Sequence, residues 1–434
     1  MKDEKVVYIK DFSNYVGQKV SVQGWVYNLR KSGAIIFLQI RDGSGFTQSV
    51  VVKDDVKPQV FADANEIQIE TSLVCTGIVK SEKRAPTGFE LTVKDLKLLS
   101  VPQEEYPIGK KDHGPDFLLS NRHLWLRSKR QWAILRIRNR IISAIKEFLQ
   151  QNNFLRIDAP MITPSACEGT TTLFDIDYFG EKAYLSQSGQ LYLEAAIYSF
   201  GRCYDFGPIL RAEKSKTRRH LIEFWMMDAE AAFVDFEENI NIQERLIQFV
   251  INNVITSCQE EFQILERDTN PLKNIVLPFP RLTYDETIQK LQELGSDIQY
   301  GTDFGNDDET ILMNYYKQPL FVTKYPASFK AFYFMKDKVK PELALAADLL
   351  APEGYGEIIG GGQREDKYKT LLLEIKNHGY NIDDYAWYLD LRKYGSVTHS
   401  GFGLGLERIV AWICKLDHVR ESIPFPRLLD RFRP

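Results

Sequence analysis

The sequence predicts an α+β protein with a small all-β domain at residues 1–102 and a larger mixed domain at residues 127–434. Three observations support this fold class. Short strand patterns separated by turn residues fill the N-terminal part of the chain. A long helical pattern follows at Arg127–Asn152. Farther along, Arg211–Phe233 is predicted to form two antiparallel strands joined by a loop rich in Lys and Arg.

The composition is that of an ordinary globular protein, because 44% of the 434 residues are hydrophobic and 26% are charged. With a net charge of -4, any contact with nucleic acid must depend on local basic patches. Five widely spaced cysteines without a Cys-x-x-Cys pair argue against a disulfide framework and against a thiolate zinc site. We find no export signal and no apolar run of about 18 residues, so a cytoplasmic location is expected.

The N-terminal domain contains five predicted strands within about 95 residues, a density typical of small barrels of the oligonucleotide-binding type and of β-sandwiches. Turn signals such as Asp42-Gly43 separate the strands. Composition alone is equally compatible with both architectures. The predicted strands are Val20–Tyr27, Ala34–Arg41, Thr47–Val52, Glu66–Lys80 and Phe89–Leu99.

Residues 103–126 are predicted to be a linker, because Gly and Pro interrupt them and no periodic pattern occurs. Beyond this segment, Arg127–Asn152 has the three-to-four spacing of a helix that buries one face. Its apolar positions are Ile134, Ile137, Ile141, Ile142, Ile145, Phe148 and Leu149. A second helix is predicted at Glu237–Cys258 from the same kind of pattern.

The loop of the Arg211–Phe233 hairpin carries a dense run of positive charge, with two Lys, two Arg and one His close together. A charge run alone is usually a solvated surface. Here Arg211 and Glu213 precede the run and Phe224 follows it. An arginine can hold a phosphate through two hydrogen bonds, a carboxylate accepts from an amine, and a ring offers a stacking face. The hairpin therefore suits a polyphosphate joined to a purine.

The hairpin resembles motif 2 of the class II aminoacyl-tRNA synthetases, at residues 206–233 of this chain. The stretch FLRIDAPMITP, within residues 135–164, resembles motif 1, and GFGLGLERIV, within residues 399–414, resembles motif 3. Three motifs in the family's order are far more specific than any one of them. The resemblance implies a catalytic domain built on an antiparallel sheet flanked by helices. It also implies a homodimer with Pro160 at its interface.

A second resemblance concerns the N-terminal strands. The stretch GWVYNLRKSGAIIFLQIRDGSGFTQ is similar to the anticodon-binding domain shared by the aspartyl, asparaginyl and lysyl members of the family, which favours the barrel over the sandwich. By position, Phe37 would stack on the middle anticodon base, Gln48 would form a hydrogen bond with it, and Arg30 would contact the anticodon. Stacking tolerates any base, so Gln48 would supply more of the specificity.

By the same resemblance the basic hairpin binds ATP. Arg211 would hold the α-phosphate, Phe224 would stack on adenine, and Glu213 would contact the adenine or the incoming ribose. Arg408 of motif 3 would hold the γ-phosphate. The expected catalytic residues are Arg211, Glu213 and Arg408, and the expected ATP-binding residues are Arg211, Glu213, Arg219, His220, Phe224, Glu357 and Arg408.

Magnesium is implied as a partner of ATP, with Asp348 and Glu357 as its protein ligands. Carboxylate oxygens combined with substrate phosphates form the kind of shell that Mg²⁺ prefers. Gly360 stands where some relatives have a serine ligand. Lys324 and Lys330 are expected to be ordinary surface charges, and His399 is expected to be a structural hydrogen-bonding residue rather than a catalyst.

The resemblance assigns the amino-acid pocket to Glu168, Gln190, Leu193, Asp228 and Arg364. Glu168 would close over the amino acid from a loop of small residues, Asp228 would bind its α-amine, and Arg364 would reach its side-chain oxygen. A neighbouring carboxylate such as Glu194 could accept a hydrogen bond from a side-chain amide.

One position in this pocket bears on specificity. Aspartate-specific members have Gln-Leu-Tyr-Lys where this chain has Gln190-Leu191-Tyr192-Leu193. Without that lysine, a buried carboxylate side chain would be underpaired at a cost of roughly several kcal/mol. The C-terminal stretch IPFPR also resembles the asparagine-specific members. The expected substrates are therefore asparagine, ATP and an asparagine tRNA, joined in two steps through an aminoacyl-adenylate.

Two alternatives remain open at this point. The first is an aspartate-specific enzyme, discriminating or relaxed, which Leu193 and the C-terminal stretch argue against. The second is a synthetase-like protein that no longer charges tRNA, acting either as an ATP-dependent asparagine-forming enzyme or as an RNA-binding module. The anticodon residues disfavour the asparagine-forming enzyme, and the full set of ATP-binding residues disfavours the RNA-binding module.

Overall fold

The computed structural model describes residues 5–85, 87–109, 111–167 and 173–434. The chain separates into two units, residues 1–113 and 114–434. Helices α2 (Pro115–Ser120) and α3 (Arg122–Trp125), numbered in chain order, lie within the segment predicted as a linker. Each is too short to produce a helical period in the sequence, which explains why the pattern did not predict them.

The first unit contains a closed five-stranded barrel with the strand order β1-β2-β3-β5-β4. Alternation along the strands places Ile36, Leu38 and Ile40 inside the barrel and leaves Phe37 on the outside. The elements are β1 (Lys19–Ser32), β2 (Ile35–Arg41), β3 (Phe46–Val52), α1 (Pro58–Glu66), β4 (Ser72–Ser81) and β5 (Phe89–Ser100). The predicted barrel is confirmed.

Two predicted strands differ clearly from the observed ones. The strand expected at Val20–Tyr27 continues to Ser32, and the second difference is larger. Residues Glu66–Lys80 were expected to form a single strand, but α1 ends at Glu66 and β4 begins only at Ser72. Pro58 occupies the first turn of α1, where a missing backbone N–H costs nothing. A residue with positive φ, Glu70, then turns the chain into β4.

The second unit is built around an eight-stranded sheet with the order β12-β13-β14-β15-β16-β11-β10-β6. The pairs from β13 to β10 are antiparallel, whereas the outer pairs β12–β13 and β10–β6 are parallel. Strands β7, β8 and β9 form a separate small sheet. The strands are β6 (Leu155–Arg156), β7 (Ile162–Thr163), β8 (Asp175–Tyr178), β9 (Glu181–Leu185), β10 (Arg202–Leu210), β11 (Glu223–Ala232), β12 (Arg281–Thr283), β13 (Leu320–Thr323), β14 (Ala346–Ala351), β15 (Gly356–Gln363) and β16 (His399–Gly405).

Helices cover this sheet and the predicted α+β class is confirmed. Besides α2 and α3, the helices are α4 (Lys129–Gln151), α5 (Gln190–Phe200), α6 (Phe236–Ser257), α7 (Gln259–Ile264), α8 (Asn270–Lys273), α9 (Tyr284–Glu293), α10 (Asn306–Tyr315), α11 (Tyr368–Asn377), α12 (Ala386–Lys393) and α13 (Leu406–Cys414). Within the described ranges, none of the helices has both the length and the apolar character needed to cross a membrane.

The long helices α4 and α6 begin at side-chain caps. Ser128 accepts a hydrogen bond from the backbone N–H of Gln131, and Asp235 accepts one from Glu238. Their apolar faces pack with α13 into one core that also contains Met227 of β11. Because strand side chains alternate, the neighbouring residue Asp228 faces the opposite side of the sheet. This opposite side carries the candidate site.

Candidate active site

A cavity of about 380 Å³ opens on the face of the large sheet away from the α4–α6 core. Its walls come from the β10–β11 loop, β11, β14, β15, β16, α13 and the segment 328–334. Most residues expected from the sequence line it, although they are spread from position 190 to position 408. Those that line it are Gln190, Arg211, Glu213, Arg219, His220, Phe224, Asp228, Asp348, Glu357, Arg364 and Arg408.

Two expected pocket residues are not part of the described cavity lining. Leu193 is fully buried in a separate apolar cluster with Ile197, Cys203 and Ala232, so the structure does not bring it to the cavity. It lies almost one turn inside α5, whose first residue, Gln190, is the one that reaches the cavity. Glu168 lies outside the described residues.

One end of the cavity is rich in cationic side chains that retain some exposure. The guanidinium of Arg211 lies 5.5 Å from the centre of the Phe224 ring, within the range of a cation–π contact. Arg408 donates from Nη1 to the backbone oxygen of Glu357 at 2.8 Å and to its Oε2 at 3.3 Å. We call this part of the cavity the nucleotide end.

His220 also belongs to the nucleotide end. Burial lowers the pKa of His220, and the nearby charge of Arg408 lowers it further, whereas Glu213 acts in the opposite direction. The imidazole Nδ1 contacts the hydroxyl of Thr217. At neutral pH the ring is therefore a neutral hydrogen-bonding group, and the positive charge of this end comes from the arginines and Lys330.

Arg219 has a different environment from the one expected for a phosphate ligand. Its guanidinium donates to the carboxylate of Glu309 and the side chain of Asn306, and at 2.6 Å to the backbone oxygen of Gly354. The side chain is only 7% exposed. Arg219 thus lines the cavity while it ties the basic loop to α10, a role that the charge pattern of the sequence does not reveal.

Asp348 and Glu357 converge over Gly360. A Cβ placed on Gly360 would lie 2.9 Å from Glu357 Oε1 and 3.4 Å from Asp348 Oδ1, so these two oxygens face the same small space. Burial raises the pKa of Asp348, and Lys330 opposes that rise. Burial also acts against ionised Glu357, but Arg408 and Lys330 outweigh it and lower the pKa. Two adjacent carboxylate oxygens fit a hard cation that takes the rest of its shell from phosphate.

Among the described residues, no group of three or more His, Cys, Asp and Glu side chains could hold a metal by itself. Lys330, expected to be an ordinary surface charge, instead donates to Asp348 Oδ2 at 2.6 Å and lies 3.8 Å from the centre of the Tyr325 ring. The expectation for Lys330 is therefore wrong. No motif marked it, because its partner lies 18 positions away in the chain.

The other end of the cavity is closed and its charges are paired. Arg364 donates through Nε and Nη2 to Glu230, and the two side chains are 2% and 1% exposed. The rings of Tyr333 and Phe334 lie 5.3 and 5.2 Å from the guanidinium. Burial raises the pKa of Glu230, and Arg364 opposes that rise. We call this part the amino-acid end.

Glu230 was not predicted from the sequence, although its spacing from Asp228 could have indicated it. It follows Asp228 by two positions on β11, so both carboxylates point to the same face of the sheet. Asp228 Oδ2 accepts hydrogen bonds from Ser188 Oγ at 2.9 Å and from the backbone N–H of Gly189 at 2.8 Å. These bonds fix a carboxylate at the position where an ammonium group could bind.

Glycines on β15 and β16 make room for these acidic side chains. Gly360 pairs with Gly403, and Gly362 pairs with Gly401. A Cβ on Gly403 would lie 2.8 Å from Asp228 Oδ1, and one on Gly401 would overlap the carboxylate of Glu230. Any larger residue at Gly401 or Gly403 would therefore displace a carboxylate of the amino-acid end.

Comparisons with known proteins agree with this geometry. Residues 114–429 match the family described as class II tRNA synthetases (D, K and N). The chain is 53% identical to the asparagine–tRNA ligase of Desulforamulus reducens over 98% of this chain and 99% of that protein. It is 52% identical to the asparagine–tRNA ligase of Pelotomaculum thermopropionicum over 99% of this chain and 100% of the relative.

This chain belongs to the asparagine–tRNA ligases of class II.

Two solved structures of such ligases are similar to it over almost their whole length. The asparaginyl-tRNA synthetase from Pyrococcus horikoshii, complexed with asparaginyl-adenylate, has a TM-score of 0.95 and 43% identity over 100% of both chains. The enzyme from Entamoeba histolytica, also in complex with asparaginyl-adenylate, has a TM-score of 0.90 and 34% identity over 99% of both chains.

The barrel of this ligase matches an OB-fold nucleic-acid-binding domain over residues 20–99. Its expected anticodon residues share one outer surface, where Arg30 pairs with Phe37 between β1 and β2. Gln48 on β3 donates from Nε2 to Glu90 Oε2 at 3.2 Å. Arg30 is exposed, and Phe37 and Gln48 are half-buried. An aromatic ring beside amide and guanidinium groups is suited to an unstacked base.

Proposed function

We propose that the protein ligates L-asparagine to its cognate tRNA in two steps, consuming ATP and releasing pyrophosphate and AMP. The observation that supports this most is the division of one cavity into a cationic nucleotide end and a closed, charge-balanced amino-acid end. Such a cavity can hold an ATP molecule and an amino acid with their reacting groups adjacent.

In the first step, the carboxylate oxygen of asparagine attacks the α-phosphorus of ATP and the bond to pyrophosphate breaks, giving asparaginyl-adenylate. Arg211 is placed to stabilise the charge on the α-phosphate, and Arg408 the charge that develops on the departing pyrophosphate. Phe224 offers its ring to adenine. Because no covalent enzyme intermediate is needed, the residues act by positioning and by electrostatic stabilisation.

Asp348 and Glu357 would hold Mg²⁺ in this scheme, with Glu357 shared between the metal and Arg408. The ion would neutralise charge on the ATP phosphates when bound. Burial raises the pKa of Asp348, and Lys330 opposes that rise, because an ammonium 2.6 Å from Oδ2 favours the ionised carboxylate. A carboxylate must be deprotonated to act as a metal ligand.

The buried Arg364–Glu230 pair supports asparagine over aspartate. A side-chain amide can accept a hydrogen bond from Arg364 without adding charge, and Glu230, which neutralises that arginine, is not among the residues that line the cavity. An aspartate carboxylate can only accept, and it would add a negative charge beside an arginine that is already neutralised. Buried polar groups left unpaired give the largest selectivities. Leu193 does not line the cavity, so the preference for asparagine cannot come from that position.

In the second step, a hydroxyl of the terminal ribose of the tRNA attacks the carbonyl carbon of asparaginyl-adenylate, and AMP leaves. The barrel would select the tRNA, with Phe37 stacking on an anticodon base, Gln48 reading its edge and Arg30 contacting the anticodon. A domain boundary in residues 103–126 is consistent with one module for each task.

A homodimer is proposed with motif 1 at its interface. Leu155, Met161 and Ile162 lie in or beside β6 and β7 and are 47%, 42% and 43% exposed in the single chain. Large apolar side chains clustered on a surface often mark a protein–protein contact. Light scattering after size-exclusion chromatography should give twice the 50.2 kDa chain mass. The five cysteines are buried thiols, which accords with a cytoplasmic location.

The decisive experiment is ATP–pyrophosphate exchange with asparagine and aspartate side by side, followed by charging of asparagine tRNA. Exchange with asparagine alone together with charging is the expected result. Comparable exchange with aspartate would favour an aspartate-specific or relaxed enzyme. Asparagine-dependent exchange without charging of tRNA would favour the synthetase-like alternative.

A further inference from the structure

Gln190 lines the amino-acid end, and only one orientation of its amide fits its surroundings. Its Nε2 lies 3.0 Å from Glu194 Oε1, with both side chains buried. The two ends of an amide look alike in most structures, so the orientation has to be inferred from the partners. An ionised carboxylate can only accept hydrogen bonds. The NH₂ group of Gln190 must therefore face Glu194, which leaves its carbonyl oxygen for the cavity.

Glu194 is itself fixed by donors on its far side. Its Oε2 accepts from Tyr388 Oη at 2.7 Å and from Arg392, and it lies 3.0 Å from His399 Nε2. Arg392 also donates from Nε to the backbone oxygen of Glu365 at 2.9 Å, next to Arg364. The Glu194, Arg392 and His399 side chains are 0% exposed.

The charges around Glu194 keep it ionised. Burial alone would raise its pKa, but Arg392 and His399 outweigh burial and hold the pKa of Glu194 well below its usual range. The carboxylate is therefore an acceptor at every pH at which the enzyme would work. This removes the possibility of a proton on Oε1 that could donate to a reversed Gln190 amide.

We propose that Glu194 is a positioning residue that locks the amide of Gln190 so that its carbonyl oxygen accepts an N–H donor of the bound amino acid. The inference rests on the proposed function, since it assumes that the amino acid occupies this end of the cavity. The donor is either the α-ammonium or the side-chain amide of asparagine, because both are N–H groups. Glu194 acts through Gln190 and does not line the cavity.

The substitution Glu194→Gln tests the proposal, because it should reverse the orientation of the Gln190 amide. The new side chain keeps its shape, and its oxygen takes the place of Oε2 among the donors from Arg392 and Tyr388. Its NH₂ then faces Gln190, which must turn its carbonyl toward residue 194 and its NH₂ toward the cavity. The NH₂ group of Gln190 would then face an N–H donor of asparagine, and we expect the KM for asparagine to rise about 10- to 100-fold.

The kinetic pattern separates positioning from general damage. Pyrophosphate exchange should show a raised KM for asparagine, with kcat and the KM for ATP within about threefold of the unmodified enzyme. Tyr388→Phe is the matched control, because it removes a donor to the same carboxylate but leaves Oε1 and Gln190 in contact. Its KM for asparagine should stay within about threefold. Equal KM increases for asparagine and ATP in Glu194→Gln, or an asparagine KM within about twofold of the parent, would overturn the proposal.

Binding of aspartate to the Glu194→Gln variant shows which N–H group of asparagine donates to Gln190. If Gln190 accepts from the α-ammonium, Glu194→Gln weakens asparagine and aspartate by the same factor. If it accepts from the side-chain amide, only asparagine is weakened, and aspartate binding improves because the reversed NH₂ donates to its carboxylate. Both outcomes support the lock.

The exchange variant Gln190→Glu/Glu194→Gln covers the case in which Glu194→Gln alone does not fold. It moves the carboxylate to position 190, where it faces the cavity with an acceptor oxygen whatever its rotation, and position 194 supplies the NH₂ donor. A folded exchange variant should bind asparagine within about tenfold of the parent enzyme. A loss of about 100-fold or more in that variant would overturn the proposal. Asparagine-dependent exchange by the unmodified enzyme reports separately on the proposed function.

Discussion

The two ends of the cavity handle charge in opposite ways. At the amino-acid end, Arg364 and Glu230 are almost completely buried and already neutralise each other. At the nucleotide end, Arg408 and Glu357 are 29% and 40% exposed. A closed site with paired charges selects its ligand because a wrong ligand leaves buried polar groups without partners, whereas an open cationic site attracts any polyphosphate. The difference indicates that specificity for the amino acid and affinity for the nucleotide are built from different physical effects.

The largest effect is expected at the paired end. Arg364→Gln leaves Glu230 as an uncompensated buried charge, which costs about 3–5 kcal/mol. The kcat/KM of asparagine-dependent exchange should fall by about 10²- to 10³-fold, and the melting temperature should fall with it. Arg245→Gln is a control, because Arg245 forms only an exposed pair with Glu238. A stable Arg364→Gln enzyme with nearly normal exchange would show that the amino-acid end does not depend on its buried ion pair.

At the nucleotide end, Arg408→Ala should reduce activity more than it reduces stability. It removes a group that meets charge on the outer phosphates, a loss of about 10²-fold in exchange rate. The KM for asparagine should not change. Calorimetry should show a smaller fall in melting temperature than for Arg364→Gln, because Arg408 compensates the charge of Glu357 but the two side chains are 29% and 40% exposed. A strong loss of stability would mean that this end is as interdependent as the other.

A smaller change tests charge balance directly. Glu230→Gln leaves Arg364 with a positive charge that can pair with a substrate carboxylate, so the asparagine-to-aspartate ratio of kcat/KM should fall by about tenfold or more. Glu213→Gln, at the nucleotide end, should leave this ratio unchanged. An unaltered ratio in Glu230→Gln would show that discrimination does not depend on the buried pair.

The last prediction concerns stability rather than activity, at Glu309, the partner of Arg219. Burial raises its pKa from 4.5 to about 7, with Arg219 opposing the rise. The folded chain therefore binds this proton more tightly than the unfolded chain, so the contribution of Glu309 to stability falls as the pH rises from about 4.5 to 7. The melting temperature of the parent, measured relative to that of Glu309→Gln, should fall between about pH 4.5 and 7 and stay constant above pH 7. Glu293→Gln removes an exposed carboxylate and should give no such trend. A pH-independent difference for Glu309→Gln would contradict the prediction.

Much of this molecule could be predicted from sequence because its signals are local. Turn signals predicted short strands in the N-terminal domain, and the resemblance to the anticodon-binding domain favoured the barrel. Three-to-four spacing predicted α4 and α6, and the family resemblance, inside and outside the three motifs, predicted most of the residues that line the cavity. What could not be predicted depends on long-range packing. Lys330 meets Asp348 across two segments, and Arg219 is held by α10. Leu193 shows the limit of position-by-position reasoning, because the depth of a residue inside a helix is set by what packs around it.

The glycine pairs beneath the amino-acid end limit how this enzyme could be redesigned. A methyl group at Gly401 or Gly403 would collide with Glu230 or Asp228. The sheet therefore leaves no spare space beneath the amino-acid end for a bulkier substrate. A smaller side chain cannot be introduced at these positions either, because glycine already has the smallest side chain. Room for a larger amino acid can come from Tyr333 and Phe334, which line the cavity outside the strands of the sheet and lie beside Arg364. A library built to change the amino acid should therefore randomise those two positions and keep Lys330 and the glycines of β15 and β16 fixed.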